Sequence, residues 1–112
     1  MEVYNKLVRD NIKNIIDNNG KDEIAVTRVL DDNEYKEELL KKLKEEFTEL
    51  NEAIKSGIKE NVVEESADLI EVIRAINGDN LDNVLMVLEE KRNKKGGFVK
   101  RLFLEKVAKN DK

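Results

Sequence analysis

Hydrophobic and polar positions alternate along this chain with helical spacing, and the helical stretches end at glycine- or asparagine-containing turns. The clearest stripe predicts a helix over about 33–55, and its apolar members are Leu39, Leu43, Phe47, Leu50 and Ile54. Asp31 and Asp32 precede the stripe as candidate caps, and Ser56-Gly57 follows it as a stop signal.

Three further helices are predicted by the same pattern. One passes through Val8 and Ile16, one covers about 59–77, and one covers about 81–94. Residues 24–30 and 98–104 are short apolar runs that could form a minor β pairing or remain connecting segments. We therefore expect an all-α fold, a helical bundle of about four to five helices in one domain over 1–112, with a frayed tail at 108–112.

Composition and charge exclude several classes of protein. The chain has 112 residues with a net charge of −4, no cysteine and no histidine. Disulfides, thiolate zinc sites, cysteine nucleophiles and histidine bases are therefore impossible. The charge disfavours binding to duplex nucleic acid, and no segment has the apolar length of a signal peptide or a membrane span. We expect a cytoplasmic protein with no membrane partner.

The second and third predicted helices each carry acidic residues three positions apart. The predicted helix over 33–55 contains Glu46 and Glu49, and the predicted helix over 59–77 contains Glu65 and Asp68. On a helical wheel Glu65 falls about 40° from Leu69, inside the apolar sector, where an unpaired carboxylate is costly. If the two helices pair in antiparallel orientation, the four carboxylates converge.

Carboxylates this close together repel one another strongly, so a cluster of four needs neutralisation. Oxygen ligands select hard cations, which makes Mg²⁺ the expected cofactor and Mn²⁺ its substitute. Magnesium held in this way leaves positions for phosphate oxygens, so the expected substrate is a polyphosphate. In the alternative interpretation the acidic residues cover solvated helix faces, and the chain is a non-catalytic helical interaction or regulatory module.

These motifs resemble a known family. The acidic pattern on two helices is similar to that of the all-α nucleoside triphosphate pyrophosphohydrolases of the MazG type, which include phosphoribosyl-ATP pyrophosphohydrolase and dimeric dUTPases. The segment from Tyr4 to Asp10 and the segment from Lys91 to Phe98 resemble a small MazG-like subgroup of about this length.

The resemblance implies hydrolysis of a nucleoside triphosphate between its α and β phosphates, as in house-cleaning of the nucleotide pool. It implies a homodimer or homotetramer, and a wide apolar surface in the sequence also favours self-association. The implied metal ligands are Glu46, Glu49, Glu65 and Asp68, and the implied catalytic residues are Glu45 and Glu46, with Glu45 acting on the attacking water. The implied phosphate contacts are Lys6, Arg9, Lys91, Arg92 and Lys95.

Overall fold

The computed structural model describes residues 1–110, and over this range the regular secondary structure is entirely helical. Four helices follow one another along the chain: α1 (Ile12–Asp17), α2 (Asp32–Ser56), α3 (Lys59–Ile76) and α4 (Asp82–Lys95). The expected all-α fold is confirmed, and the predicted boundaries of α2, α3 and α4 are each within one residue of the observed ones. None of these helices has the length and apolar character needed to cross a lipid bilayer.

The described residues form two compact units. The first, Met1–Asn80, contains α1, α2 and α3, and the second begins at Leu81 and contains α4. The expectation of a single domain over 1–112 stays a prediction. The expected frayed tail at 108–112 falls partly on residues 111 and 112, which lie outside the described residues.

The start of α2 is fixed by a capping box. The Asp31 side chain accepts a hydrogen bond from the Glu34 backbone N–H at 2.8 Å, and the Glu34 carboxylate accepts one from the Asp31 backbone N–H at 3.3 Å. Arg28 donates two hydrogen bonds to the same carboxylate, at 3.1 and 2.7 Å. These contacts, led by the one with Arg28, lower the pKa of Glu34 to about 2. The beginning of α2 is thus held by side chains that the sequence places within one turn.

The first unit is built on the hairpin of α2 and α3, which pack against each other. Gly57 ends α2 in the left-handed conformation, with φ 73°, and Ile58 leads directly into α3. So short a connection makes the two helices antiparallel neighbours. The buried apolar residues are Leu39 and Ala53 from α2 and Val72 from α3, so the core lies between these two helices.

The predicted inward stripe of α2 is only partly correct. Leu39 is buried, but Phe47 and Ile54 are 63% and 59% exposed. The buried line along α2 instead runs through Leu39, Glu46 and Ala53, which are spaced by seven residues. Helical spacing defines which residues share a face, but it does not determine which flank of that face the neighbouring helix covers. Here α3 covers the acidic flank.

The optional β pairing between residues 24–30 and 98–104 is absent from the described residues, since neither segment forms a strand. Residues 24–30 are instead connected to α1 by side chains. Lys13 donates to the Ala25 carbonyl at 2.7 Å, and Asp17 accepts from the Ala25 N–H at 2.8 Å. Two strands alone are marginally stable in water, so β-branched residues in this run were weak evidence for a sheet.

Removal of the capping box should weaken the whole hairpin. Asp31→Ala is expected to lower the free energy of unfolding by about 1 kcal/mol, because the N–H of Glu34 loses its acceptor. Urea unfolding followed by circular dichroism measures the change. Asn33→Ala, at an exposed position in the same turn, is the control and should have a smaller effect. Equal losses in the two variants would contradict this account of the cap.

Candidate metal centre

Four carboxylates from α2 and α3 converge at one place on the hairpin. Glu46 and Glu49 project from α2, and Glu65 and Asp68 project from α3. Each of the four residues contributes one carboxylate oxygen to a group whose members all lie within 4.8 Å of one another. The spacing of three residues places each pair on one helix face, and the antiparallel hairpin brings the two faces together. The convergence expected from the acidic pattern is therefore present.

Glu46 is the most deeply buried member of this carboxylate cluster, with only 7% of its surface exposed. The wheel had assigned the inward position to Glu65, but in the structure Glu65 is half-buried. Among the described residues, Oε2 of Glu46 and Oε2 of Glu65 are both buried without a hydrogen-bond partner. A buried carboxylate oxygen without a partner is costly. The cluster thus presents acceptors that a bound cation could satisfy.

The cluster shifts the ionisation of its own members. Burial, followed by contact with Glu49 and the charge of Asp68, raises the pKa of Glu46 to about 7. Burial, contact with Glu49 and the charge of Asp68 likewise raise the pKa of Glu65 above its ordinary value. The protein on its own therefore disfavours full ionisation of the cluster near neutral pH.

Two basic side chains contact the cluster. Arg9, a predicted phosphate contact, lies beside Asp68 with Nη2 and Oδ1 2.7 Å apart. The Lys42 ammonium lies 3.2 Å from Oε2 of Glu45 and 4.0 Å from Oε1 of Glu46. The Lys42 side chain is only 20% exposed. Its position four residues before Glu46 on one helix was the signal that could have identified it.

The remaining predicted residues do not belong to the cluster of four carboxylates. Glu45 is half-buried at the flank of the cluster, where Lys42 donates to it. Lys6 is exposed, and its ammonium lies 6.0 Å from the centre of the Tyr4 ring. The other three candidates are exposed residues near the end of α4, in the second unit: Lys91, Arg92 and Lys95. Their assignment to phosphate binding stays a prediction.

A hollow of about 340 Å³ adjoins the cluster. It lies between the last turns of α2 and the first turns of α3, and two of its lining residues, Glu49 and Glu65, also belong to the cluster. The other four lining residues are Glu52, Ala53, Ser56 and Asn61.

The donor set fits a hard divalent cation. All four candidate ligands are carboxylates, and two of their oxygens are buried without a hydrogen-bond partner within residues 1–110. Oxygen donors of this kind bind Mg²⁺, Mn²⁺ or Ca²⁺ in preference to soft metals. The cluster is therefore able to bind a metal ion.

Comparison with models of known protein families assigns the chain to a family. A family model described as phosphoribosyl-ATP pyrophosphohydrolase matches residues 8–91. The chain belongs to the phosphoribosyl-ATP pyrophosphohydrolase family. Comparisons with curated proteins and with solved structures gave no significant match.

Membership of the phosphoribosyl-ATP pyrophosphohydrolase family confirms the resemblance noted in the motifs and supports a nucleotide pyrophosphohydrolase activity. The matched range contains all four carboxylates of the cluster and both basic residues beside it. It also contains Lys91, whereas Lys6, Arg92 and Lys95 lie outside it. The hairpin that builds the cluster is thus entirely within the part of the chain that defines the family.

The raised pKa of Glu46 predicts how stability depends on pH. Folded Glu46 keeps its proton up to about pH 7, whereas the unfolded residue loses it near its ordinary value of 4.5. Between these values the folded state binds more protons, so this residue's contribution to stability is lost as pH rises from about 4.5 to 7. Glu46→Gln, which cannot ionise, should therefore gain on the order of 1–3 kcal/mol relative to the parent protein between pH 5 and pH 8.

Urea unfolding at pH 5 and pH 8 with a chelator present measures this gain. The charged neighbours that face Glu46 are Glu49, Asp68 and Lys42, and they remain unchanged in the variant. Glu37→Gln, at an exposed position on α2, should follow the pH dependence of the parent protein. If the free energy of unfolding changes equally between pH 5 and pH 8 in Glu46→Gln and in the parent protein, the predicted linkage is refuted.

Proposed function

We propose that this protein hydrolyses a nucleoside triphosphate between the α and β phosphates, producing a nucleoside monophosphate and pyrophosphate, with Mg²⁺ as cofactor and Mn²⁺ as a substitute. The observation that carries the proposal is the convergence of four carboxylates with two buried oxygens that lack a partner among the described residues. Family membership supports the reaction class. We assign the activity to the cytoplasm, as house-cleaning of the nucleotide pool.

The proposed metal ligands are Glu46, Glu49, Glu65 and Asp68. When bound, Mg²⁺ supplies neutralisation of phosphate charge and activation of water, which this chain has no histidine to provide. The four carboxylates, which project from two packed helices, would hold the ion. This arrangement favours catalysis by positioning and charge neutralisation.

Glu45 is the proposed acceptor of the proton from the attacking water. It is next to Glu46 in the chain but less buried, and Lys42 donates a hydrogen bond to Oε2 at 3.2 Å. This contact restricts the Glu45 carboxylate to one side of α2 while leaving its other oxygen available. Lys42 is therefore a proposed positioning residue for Glu45.

The substrate phosphates are proposed to contact basic residues. Arg9 is the candidate with the most direct support, because its guanidinium already lies beside Asp68. A guanidinium matches phosphate oxygens in charge and geometry. The other proposed phosphate contacts are Lys6, Lys91, Arg92 and Lys95.

Loss of one metal ligand should abolish turnover without unfolding the protein. Glu65→Ala is expected to lower pyrophosphate release on the order of 100-fold or more, because the metal loses a ligand and the phosphates lose their neutralisation. In the absence of metal its stability should be unchanged or increased, since a buried carboxylate is removed. A pyrophosphate-release assay with Mg²⁺ across ordinary and modified nucleotides, together with thermal melting, measures both effects.

Glu64→Ala is the matched control, because Glu64 is the exposed neighbour of Glu65 and should retain activity. The alternative function, a non-catalytic helical interaction or regulatory module, predicts a different result. It predicts no pyrophosphate release from any nucleotide and no rise in melting temperature with millimolar Mg²⁺. A specific ion at 100 times its dissociation constant should instead stabilise the protein by about 2.7 kcal/mol.

We also propose that the protein is a homodimer or homotetramer. Leu40, Phe47 and Ile54 are spaced by seven residues along α2, and each is more than half exposed. Val63 and Ile70 form a second exposed apolar line on α3. Apolar lines with this repeat are suited to pack against the same lines of a second copy.

A charge in the exposed line of α2 should dissociate this assembly. Phe47→Lys is expected to convert the oligomer to monomer, because the ammonium would be desolvated in the interface. Analytical ultracentrifugation at several concentrations measures the change. Val26→Lys, at a position that is 96% exposed outside the helices, should leave the assembly intact. A parent protein that is monomeric throughout this range would refute the proposed assembly.

A further inference from the structure

The α2–α3 hairpin has two chemically different ends on either side of the carboxylate cluster. Lys42 lies one turn before Glu46 on α2, and Arg9 lies beside Asp68 on α3, so both basic residues are at one end. The hollow extends from Glu49 and Glu65 towards the turn at Gly57, at the other end. A molecule bound at the cluster therefore meets positive charge in one direction and the hollow in the other.

The hollow itself is unsuited to phosphate. Its lining contains three carboxylates and no basic side chain: Glu49, Glu52 and Glu65 are joined by Ala53, Ser56 and Asn61. Glu49 and Glu65 belong to the proposed metal site, and the remaining charge of the lining, on Glu52, would repel an anion. The part of a nucleotide that fits this environment is the uncharged part, which is the nucleoside.

Two lining residues have free hydrogen-bonding groups. The Ser56 hydroxyl is already engaged, because it donates to the Ala53 carbonyl at 2.6 Å and accepts from the Ile58 N–H at 3.2 Å. Within residues 1–110 the side chains of Glu52 and Asn61 make no hydrogen bond or ion pair. A carboxylate accepts from hydroxyl and amino groups, and an amide both donates and accepts. These are the polar groups that a nucleoside carries on its sugar and base.

We propose that this hollow is the nucleoside subsite. In this arrangement Glu52 and Asn61 hydrogen-bond the sugar or base, while the phosphate chain extends from the cluster towards Arg9 and Lys42. The volume of about 340 Å³ is at the lower end of the range for small-molecule sites. The inference rests on the proposed function and adds the direction in which the substrate lies.

Binding of the two product fragments tests the inference without turnover. The probes are inorganic pyrophosphate and the monophosphates of adenosine, guanosine, cytidine and uridine, titrated calorimetrically into the full protein with Mg²⁺. Asn61→Ala and Glu52→Gln are expected to weaken the best-bound monophosphate by about 3- to 10-fold, because each removes or weakens a hydrogen bond, and to leave pyrophosphate affinity unchanged. Arg9→Ala is expected to weaken the binding of pyrophosphate and to leave the affinity for the monophosphate unchanged.

Matched controls separate the hollow from the rest of the hairpin. Asn51→Ala and Glu37→Gln change the same residue types at exposed positions of α2 outside the hollow, and both should bind all probes like the parent protein. Repeating the titration with 2′-deoxy monophosphates distinguishes sugar from base. If Glu52 binds the 2′-hydroxyl, the deoxy form should be insensitive to Glu52→Gln, and sensitivity of both forms places the contact elsewhere on the nucleoside.

Two results would overturn the subsite. Unchanged monophosphate affinity in both hollow variants, with the parent active, would place the nucleoside elsewhere and leave the proposed hydrolysis intact. A smaller Mg²⁺-dependent rise in melting temperature for Glu52→Gln, with unchanged monophosphate affinity, would instead make the hollow a second cation site. If the parent releases no pyrophosphate, the proposed reaction fails, but a loss of monophosphate binding in Asn61→Ala would still establish a nucleotide subsite.

Discussion

The mutual repulsion of carboxylates between α2 and α3 is the constraint on which the rest of this structure depends. Glu46 is buried in the helix interface at a position that an apolar residue would ordinarily occupy, and Glu49, Glu65 and Asp68 surround it. Burial and neighbouring negative charge raise the pKa of Glu46 to about 7. The same two effects that destabilise the hairpin without a cation strengthen the attraction for one. Stability and cation binding are therefore opposed at a single place in the fold.

The apolar part of the interface between α2 and α3 is small because carboxylates occupy the rest of that interface. Among residues 1–110, the buried apolar residues are Leu39, Ala53 and Val72, and four carboxylates converge between the same two helices. Leu40, Phe47 and Ile54 of α2 are instead each more than half exposed. A second copy that covers these side chains would supply the burial that the hairpin lacks. On this view, self-association offsets the energetic cost of the acidic centre.

Several features follow from the sequence because they depend on neighbouring residues along one chain. The boundaries of α2 were predicted closely, since Asp31 caps α2 and Gly57 ends it through contacts within a turn, whereas the first helix was predicted to pass through Val8 and begins at Ile12. The pairing of Glu46 with Glu49, and of Glu65 with Asp68, follows from helical spacing. Convergence of the two pairs needed one further assumption, an antiparallel hairpin, which the short connection after Ser56 makes the simplest topology.

The helices, their caps and the acidic pairs follow from the sequence alone, because they depend on residues spaced three to four positions apart. The tertiary structure decided the rotation of α2 against α3, which places Glu46 rather than Glu65 deepest in the interface and leaves Phe47 exposed. It also places the Lys42 ammonium 4.0 Å from Oε1 of Glu46. Rotation about a helix axis depends on how two surfaces fit together, and a pattern along one helix does not specify that fit.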